Sequence, residues 1–187
     1  MNIPLKEHYR SPCFLLLLLL VSCTGIPEGV EAVKNFEAKR YMGKWYEIAR
    51  LDNRFEKGLD NISAEYSESV KGGINVFNKG YDFKRKEWKS VSGIAYFIGS
   101  PNVGRLEVSF FRPFYSSYNI IDIDSKKYSY AIVCSYNKSY LWILSRTKKM
   151  DKKLLSRLVA KADKYGFETD KLIYVKQNLK DYYVYKK

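Results

Sequence analysis

Arg105-Leu106-Glu107-Val108-Ser109-Phe110-Phe111 alternates in character, with Leu106, Val108 and Phe110 apolar and Arg105, Glu107 and Ser109 polar. A period of two puts successive side chains on opposite faces of an extended chain, so this stretch reads as a strand with one face turned to a core. Strand-like runs lie on both sides of it. Before it come residues 45–51, 61–69, 74–81 and 88–98, and after it come 118–123, 129–135 and 140–145. The connections are mostly short, and Lys71-Gly72-Gly73 and Ser100-Pro101-Asn102 carry turn chemistry. Eight strands joined in this way predict an all-β, up-and-down antiparallel sheet that can close into a barrel.

One helix is expected after the strands. Asp151 is a candidate N-cap, Leu154, Leu155, Leu158, Val159, Ala162 and Tyr165 share one face, and Gly166 stands where the chain should leave. An apolar stripe on a single helix needs a partner, and the outer wall of the barrel is the surface available. Residues 172–175 read as a last short strand and 179–187 as a C-terminal tail.

The N-terminus is of another kind. Lys6 and Arg10 precede Phe14 and the six leucines Leu15 to Leu20, and small residues follow. These are the parts of a secretory signal, and the apolar run is shorter than the roughly 20 residues a membrane-spanning helix needs. Val21-Ser22-Cys23 resembles the bacterial lipobox. That resemblance implies cleavage before Cys23 and acylation of it, making Cys23 a lipid anchor; an ordinary cleaved signal is the plainer alternative. The expected organisation is a signal peptide over 1–22, a tether over 23–34, a domain over 35–178 and the tail. Thr24 follows the anchor where family sorting patterns place an aspartate for inner-membrane retention, so the resemblance points to the outer membrane.

The precursor carries a net charge of +13, and loss of Lys6, Glu7 and Arg10 with the signal leaves +12. The basic residues are scattered, which suits either a solvated surface or attraction to anionic lipid. Export argues against nucleic acid as a partner. Once Cys13 is removed and Cys23 acylated, Cys134 has no disulfide partner, and its place in Ala131-Ile132-Val133-Cys134 suits a buried thiol. The one histidine, His8, lies in the signal, and neither a Gly-rich phosphate loop nor a G-x-S-x-G elbow is present. These features weigh against an enzyme, leave no expected metal site and call for no cofactor.

Gly43-Lys44-Trp45-Tyr46 opens the first strand, and Ser145-Arg146-Thr147 closes the eighth. The pair resembles the G-x-W motif and the later arginine of the lipocalins. Trp45-Tyr46-Glu47-Ile48-Ala49-Arg50, Asn78-Lys79-Gly80-Tyr81 and the run from Tyr140 to Arg146 look most like the bacterial outer-membrane lipoproteins of that family. The family's middle motif is poorly kept, Ile123-Asp124-Ser125 being the nearest match. The resemblance implies a hollow barrel whose floor is closed by Trp45, with Arg146 lying across the indole and Gly43 beside it.

Alternation from Trp45 puts Glu47 and Ala49 inside. The expected ligand-lining residues are Ala49, Ala64, Tyr66, Val76, Asn78, Val108, Phe110, Val133, Tyr140 and Trp142, although solid core filling is the alternative for each. A mostly apolar wall suits a fatty-acyl chain. The resemblance implies binding of fatty acids, phospholipids or lysophospholipids for storage, transport or membrane maintenance. Arg50, Arg54 and Lys57, on the first long loop, are candidates to meet a headgroup. Exposed aromatics near 111–118 would suit a homodimer interface. Two other readings stand beside this one. The first is a lipocalin-fold enzyme using Cys134, Glu47 or interior tyrosines, for which Glu47 lacks an evident carboxylate partner; the second is an electrostatic envelope-binding module.

Overall fold

A computed structural model describes residues 24–179. The signal peptide, Cys23 and nearly all of the tail lie outside the described residues. After a one-turn helix α1 (Ala38–Tyr41) come β1 (Gly43–Arg50), β2 (Leu59–Glu68), β3 (Ile74–Asp82), β4 (Glu87–Phe97), β5 (Arg105–Phe111), β6 (Phe114–Ile123), β7 (Tyr130–Cys134) and β8 (Leu141–Ser145). Helix α2 (Lys152–Lys164), a 3-10 turn (Thr169–Lys171) and a two-residue β9 (Ile173–Tyr174) follow. Each strand pairs antiparallel with the next, and β1 pairs with both β2 and β8, so the sheet closes on itself. β9 adds to the outside of β1. The all-β, eight-stranded up-and-down barrel with one C-terminal helix outside is thus present.

Strand β6 starts at Phe114, earlier than the expected 118, because Phe111 already pairs with Phe114 across a tight turn. The described part of the segment expected as a tether packs against the barrel. Val30 is buried, Val33 N–H donates to Ile120 O at 2.9 Å, and Gly104 N–H donates to Val33 O at 2.9 Å. Gly25, Pro27 and Gly29 do break regular structure, but apolar side chains between them still find a surface to cover.

Two cores result. The outer one fills the gap between the barrel wall and α2, with Ile48, Ala49, Ile121, Ile132, Cys134, Leu141 and Ile143 meeting Leu158 and Ala162. Asp151 caps α2 by accepting Leu154 N–H at 3.0 Å, and Lys161 ties the helix to Asp122 of β6 at 3.0 Å. The inner core lies within the barrel and gathers Phe36, Tyr41, Trp45, Tyr66, Ile74, Val76, Ala95, Leu106, Ile120, Tyr128, Ala131, Val133 and Leu144.

Candidate functional site

In an up-and-down barrel the connections alternate between ends. The β1–β2, β3–β4, β5–β6 and β7–β8 connections therefore share one end, and Trp45 and Arg146 lie at the other. At the Trp45 end the barrel is sealed. Trp45 is fully buried, its indole N–H donates to Tyr41 O at 2.8 Å, and the Arg146 guanidinium sits 3.9 Å from the ring centroid. Arg146 also donates to the carbonyls of Arg40, Lys44 and Tyr128 at 2.7, 3.0 and 3.2 Å. One cation thus stacks on the indole and binds three carbonyls. Gly43 takes φ +88°, and a Cβ there would sit 3.5 Å from Arg146 Nη1. The left-handed backbone, more than the space, asks for glycine.

Above the indole, the hydroxyls of Tyr41, Tyr118 and Tyr66 form a chain with two 2.7 Å links. Burial pushes the pKa of all three phenols upward, so they stay neutral hydrogen-bonding groups. Phe36 and Tyr128 pack below, and Arg40 stacks on Tyr128 at 4.2 Å. The weakly matched segment at Asp124 still builds an ordered turn, in which its carboxylate accepts from Lys126 N–H, Lys127 N–H and Ser129 Oγ.

Toward the other end the interior opens. On β4 the inward series runs Ala95, Gly93, Val91; Ala95 is buried in the inner core, whereas Val91 is 44% exposed. On β2 and β3, Tyr66 and Val76 are buried, while their inward neighbours Ala64 and Asn78 are only partly so. Val133 is sealed and its cross-strand partner Trp142 is half-buried. Inward-facing side chains that become solvent-accessible along one direction define a cup above a solid floor. Asn78 Oδ1 is buried in its wall without a hydrogen-bond partner.

A polar cluster stands inside the cup near its mouth. Arg50, 2% exposed, donates to Glu47 Oε1 at 3.0 Å and to the loop carbonyls of Glu56 and Leu59 at 2.9 and 3.3 Å. Glu56 folds in from the β1–β2 connection, accepting the Trp142 indole N–H at 2.9 Å and Asn53 Nδ2 at 2.6 Å. Burial first, and the nearby Glu56 carboxylate second, raise the Glu47 pKa well above the usual carboxylate range. Burial and the second carboxylate together outweigh the Arg50 guanidinium, so Glu47 holds its proton more tightly than an ordinary carboxyl group.

The expected lining residues divide by position. Tyr66, Val76 and Val133 sit in the sealed lower interior, and Ala64, Val108 and Trp142 border it. Tyr140 lies beside Trp142 near the mouth, with ring centroids 6.1 Å apart. Phe110 faces Gly93, where a Cβ would approach its ring to 2.7 Å, and is partly exposed at the mouth. Ala49 belongs elsewhere: it packs in the outer core beneath α2. The β1–β8 register shifts between Glu47 and Ala49, so the alternation from Trp45 reverses there. The same bulge turns Arg50 inward, away from the surface loop expected to expose it. Glu47 does have a carboxylate neighbour, Glu56, which strand alternation could not reveal because it comes from a loop. Cys134 is fully buried under α2, and burial pushes its thiol up to about 12, so it is not a poised nucleophile.

The family model for the Lipocalin-like domain matches residues 36–177. The chain is a lipocalin. It is 51% identical over 161 residues to the outer membrane lipoprotein Blc of Citrobacter freundii, covering 85% of this chain and 90% of that protein. The Blc of Vibrio cholerae is 47% identical over 166 residues, covering 88% and 97%. More distantly, temperature-induced lipocalin-1 of Arabidopsis thaliana is 33% identical over 153 residues, covering 76% and 80%. Among solved structures, insecticyanin of the tobacco hornworm Manduca sexta superposes with a TM-score of 0.63 at 22% identity, covering 81% of this chain and 86% of that one. The cockroach allergen Per a 4 gives 0.63 at 20%, covering 82% and 95%. At such identity the two structures speak for the lipocalin fold alone.

Proposed function

We propose that this lipocalin is an outer-membrane lipoprotein, acylated on Cys23, that holds a fatty acid, phospholipid or lysophospholipid in the cup for storage, transport or membrane maintenance. The observation that carries the binding role is the gradient of exposure along the interior, sealed at Trp45 and open at Val91. The names of the Blc relatives support the membrane address, and the lipobox-like Val21-Ser22-Cys23 supports the anchor. Each methylene taken from water contributes about 0.8 kcal/mol, so an acyl chain in the cup has ample driving force. Arg50, together with the rim cations Arg54 and Lys57, supplies positive charge near the mouth for a phosphate or carboxylate. The protein acts as a binder and not as an enzyme in this reading. Glu47 is engaged by Arg50, Glu56 by Trp142 and Asn53, and Cys134 is shut away.

The test is titration of a delipidated chain starting at Thr24 with a lysophospholipid, followed by calorimetry. Saturable uptake into one site per chain is expected; heat no larger than that of dilution overturns the binding role. Mass spectrometry of the chain extracted from membranes checks the anchor separately, with Cys23 expected to carry diacylglycerol and an N-linked acyl group.

A further inference from the structure

The two ends of the barrel differ in what they show to solvent. Besides Phe110, whose ring turns into the cup toward Gly93, four phenylalanines stand exposed at the open end: Phe55 at 69%, Phe83 at 45%, Phe111 at 75% and Phe114 at 61%. They stand in or beside three different connections, so they ring the mouth and do not form one sticky loop. Phe111 and Phe114 stack in parallel with centroids 6.4 Å apart, and Arg54 lies 4.8 Å from the Phe55 centroid. The same connections and the residues flanking them carry Arg54, Lys57, Lys84, Arg85, Lys86 and Arg112 against Asp52, Glu56, Asp82 and Glu87; Glu56 points into the cup and Asp82 is held by Lys89. At the floor end the only large apolar side chain so exposed among the described residues is Val70.

The start of the described chain lies on the flank of the barrel, beside β6 and five residues down that strand from Phe114. Asn119 Nδ2 donates to Gly25 O at 2.9 Å and to Ser135 O at 3.2 Å, and Ser135 is where β7 runs into its mouth connection. Cys23 is two residues before Gly25, and two residues reach at most about 7 Å. Packing of Ile26 and Val30 against the outer core removes the slack that a free tether would have allowed. An acyl group on Cys23 therefore tethers the barrel from its flank, and Asn119 stands at most about 18 Å along β6 from Phe114, so the rim can reach the bilayer.

We propose that the mouth of the barrel is a membrane-docking face, in which the four rim phenylalanines settle into the headgroup layer of an anionic phospholipid bilayer and the rim cations meet its phosphates. Aromatic side chains flanked by Lys and Arg are the chemistry of an interfacial anchor. The cup then opens onto the bilayer, and a lipid passes between the two without crossing water. This orientation rests on the acylated-anchor reading above.

The experiment follows hydrogen exchange in the full mature, acylated protein on vesicles of phosphatidylethanolamine and phosphatidylglycerol. Exchange at 51–58, 83–86 and 111–114 should slow about tenfold relative to neutral detergent micelles, with turns 69–73 and 98–104 unchanged. A variant combining Phe55→Ser, Phe83→Ser, Phe111→Ser and Phe114→Ser should lose that slowing and still float with the vesicles through its lipid. Flotation without any slowing at the mouth, or slowing at the floor turns, overturns the docking face and leaves the anchor standing. Slowing that persists in micelles and grows with protein concentration assigns the rim to a second copy and overturns it as well. A chain that does not float overturns the anchor and the orientation together.

Discussion

The floor and the mouth of this barrel are made from the same strands and behave as different materials. At the floor, Trp45, Tyr41, Phe36 and Tyr128 interlock under Arg146, and every ring is buried or capped by a cation. At the mouth, phenylalanines of similar size stand in solvent, and the polar groups face inward as the Glu47–Arg50–Glu56 cluster. Aromatic content alone therefore says nothing about role. Rings that find partners within the chain stabilise it, whereas rings denied partners by the end of the sheet are left for something outside it.

Substitutions should separate the two ends. The largest loss is expected for Trp45→Ala, which empties the floor and should lower unfolding stability by about 3–5 kcal/mol in urea titration. Arg146→Ala removes the stacked cation and its three carbonyl bonds and should cost about 2 kcal/mol. Arg146→Lys should recover only part, because an ammonium cannot reach all four partners from one position. A loss under about 0.5 kcal/mol for either Arg146 variant would falsify the floor as the chain's main lock.

The Glu47 cluster sharpens the contrast through pH. Its raised pKa means that the folded protein keeps a proton that the unfolded chain releases in the ordinary carboxylate range. The Glu47-linked stability is therefore greatest in acid, falls as pH rises from that range through the raised value, and levels off above it, with a slope of at most about 1.4 kcal/mol per pH unit. Urea midpoints across pH should fall less for Glu47→Gln than for the parent chain. Val91→Phe fills the open half of the cup. It should weaken lysophospholipid binding about tenfold, roughly 1.4 kcal/mol, while leaving the unfolding midpoint nearly in place. The smallest effect is expected at the rim, where Phe111→Ser in a thermal melt should change stability by no more than about 0.5 kcal/mol. A larger loss would place Phe111 among the structural rings and erase the distinction.

Much of the fold was legible along the chain. Period-two stretches such as 105–111 report a half-buried sheet because the pleat alternates side chains whatever surrounds them. Asp151 and Gly166 bound α2 by local capping chemistry, and Gly43, Trp45 and Arg146 carry the family pattern. The site was less legible. Ala49 and Arg50 exchanged faces at one bulge, and a bulge is decided by how β1 meets β8 about a hundred residues later. Glu56 was out of reach because a loop has no period to read.

What the sequence by itself determined is the barrel, its helix and the charge and aromatic content of its surface, since these follow from local periodicity, capping and composition. Only the tertiary structure decided which aromatic rings seal the floor and which ring the mouth, where Glu47 finds Glu56, and that the segment before Lys34 packs along the barrel beside β6. Those facts depend on register and closure, which join residues far apart in the chain and leave no mark on their neighbours.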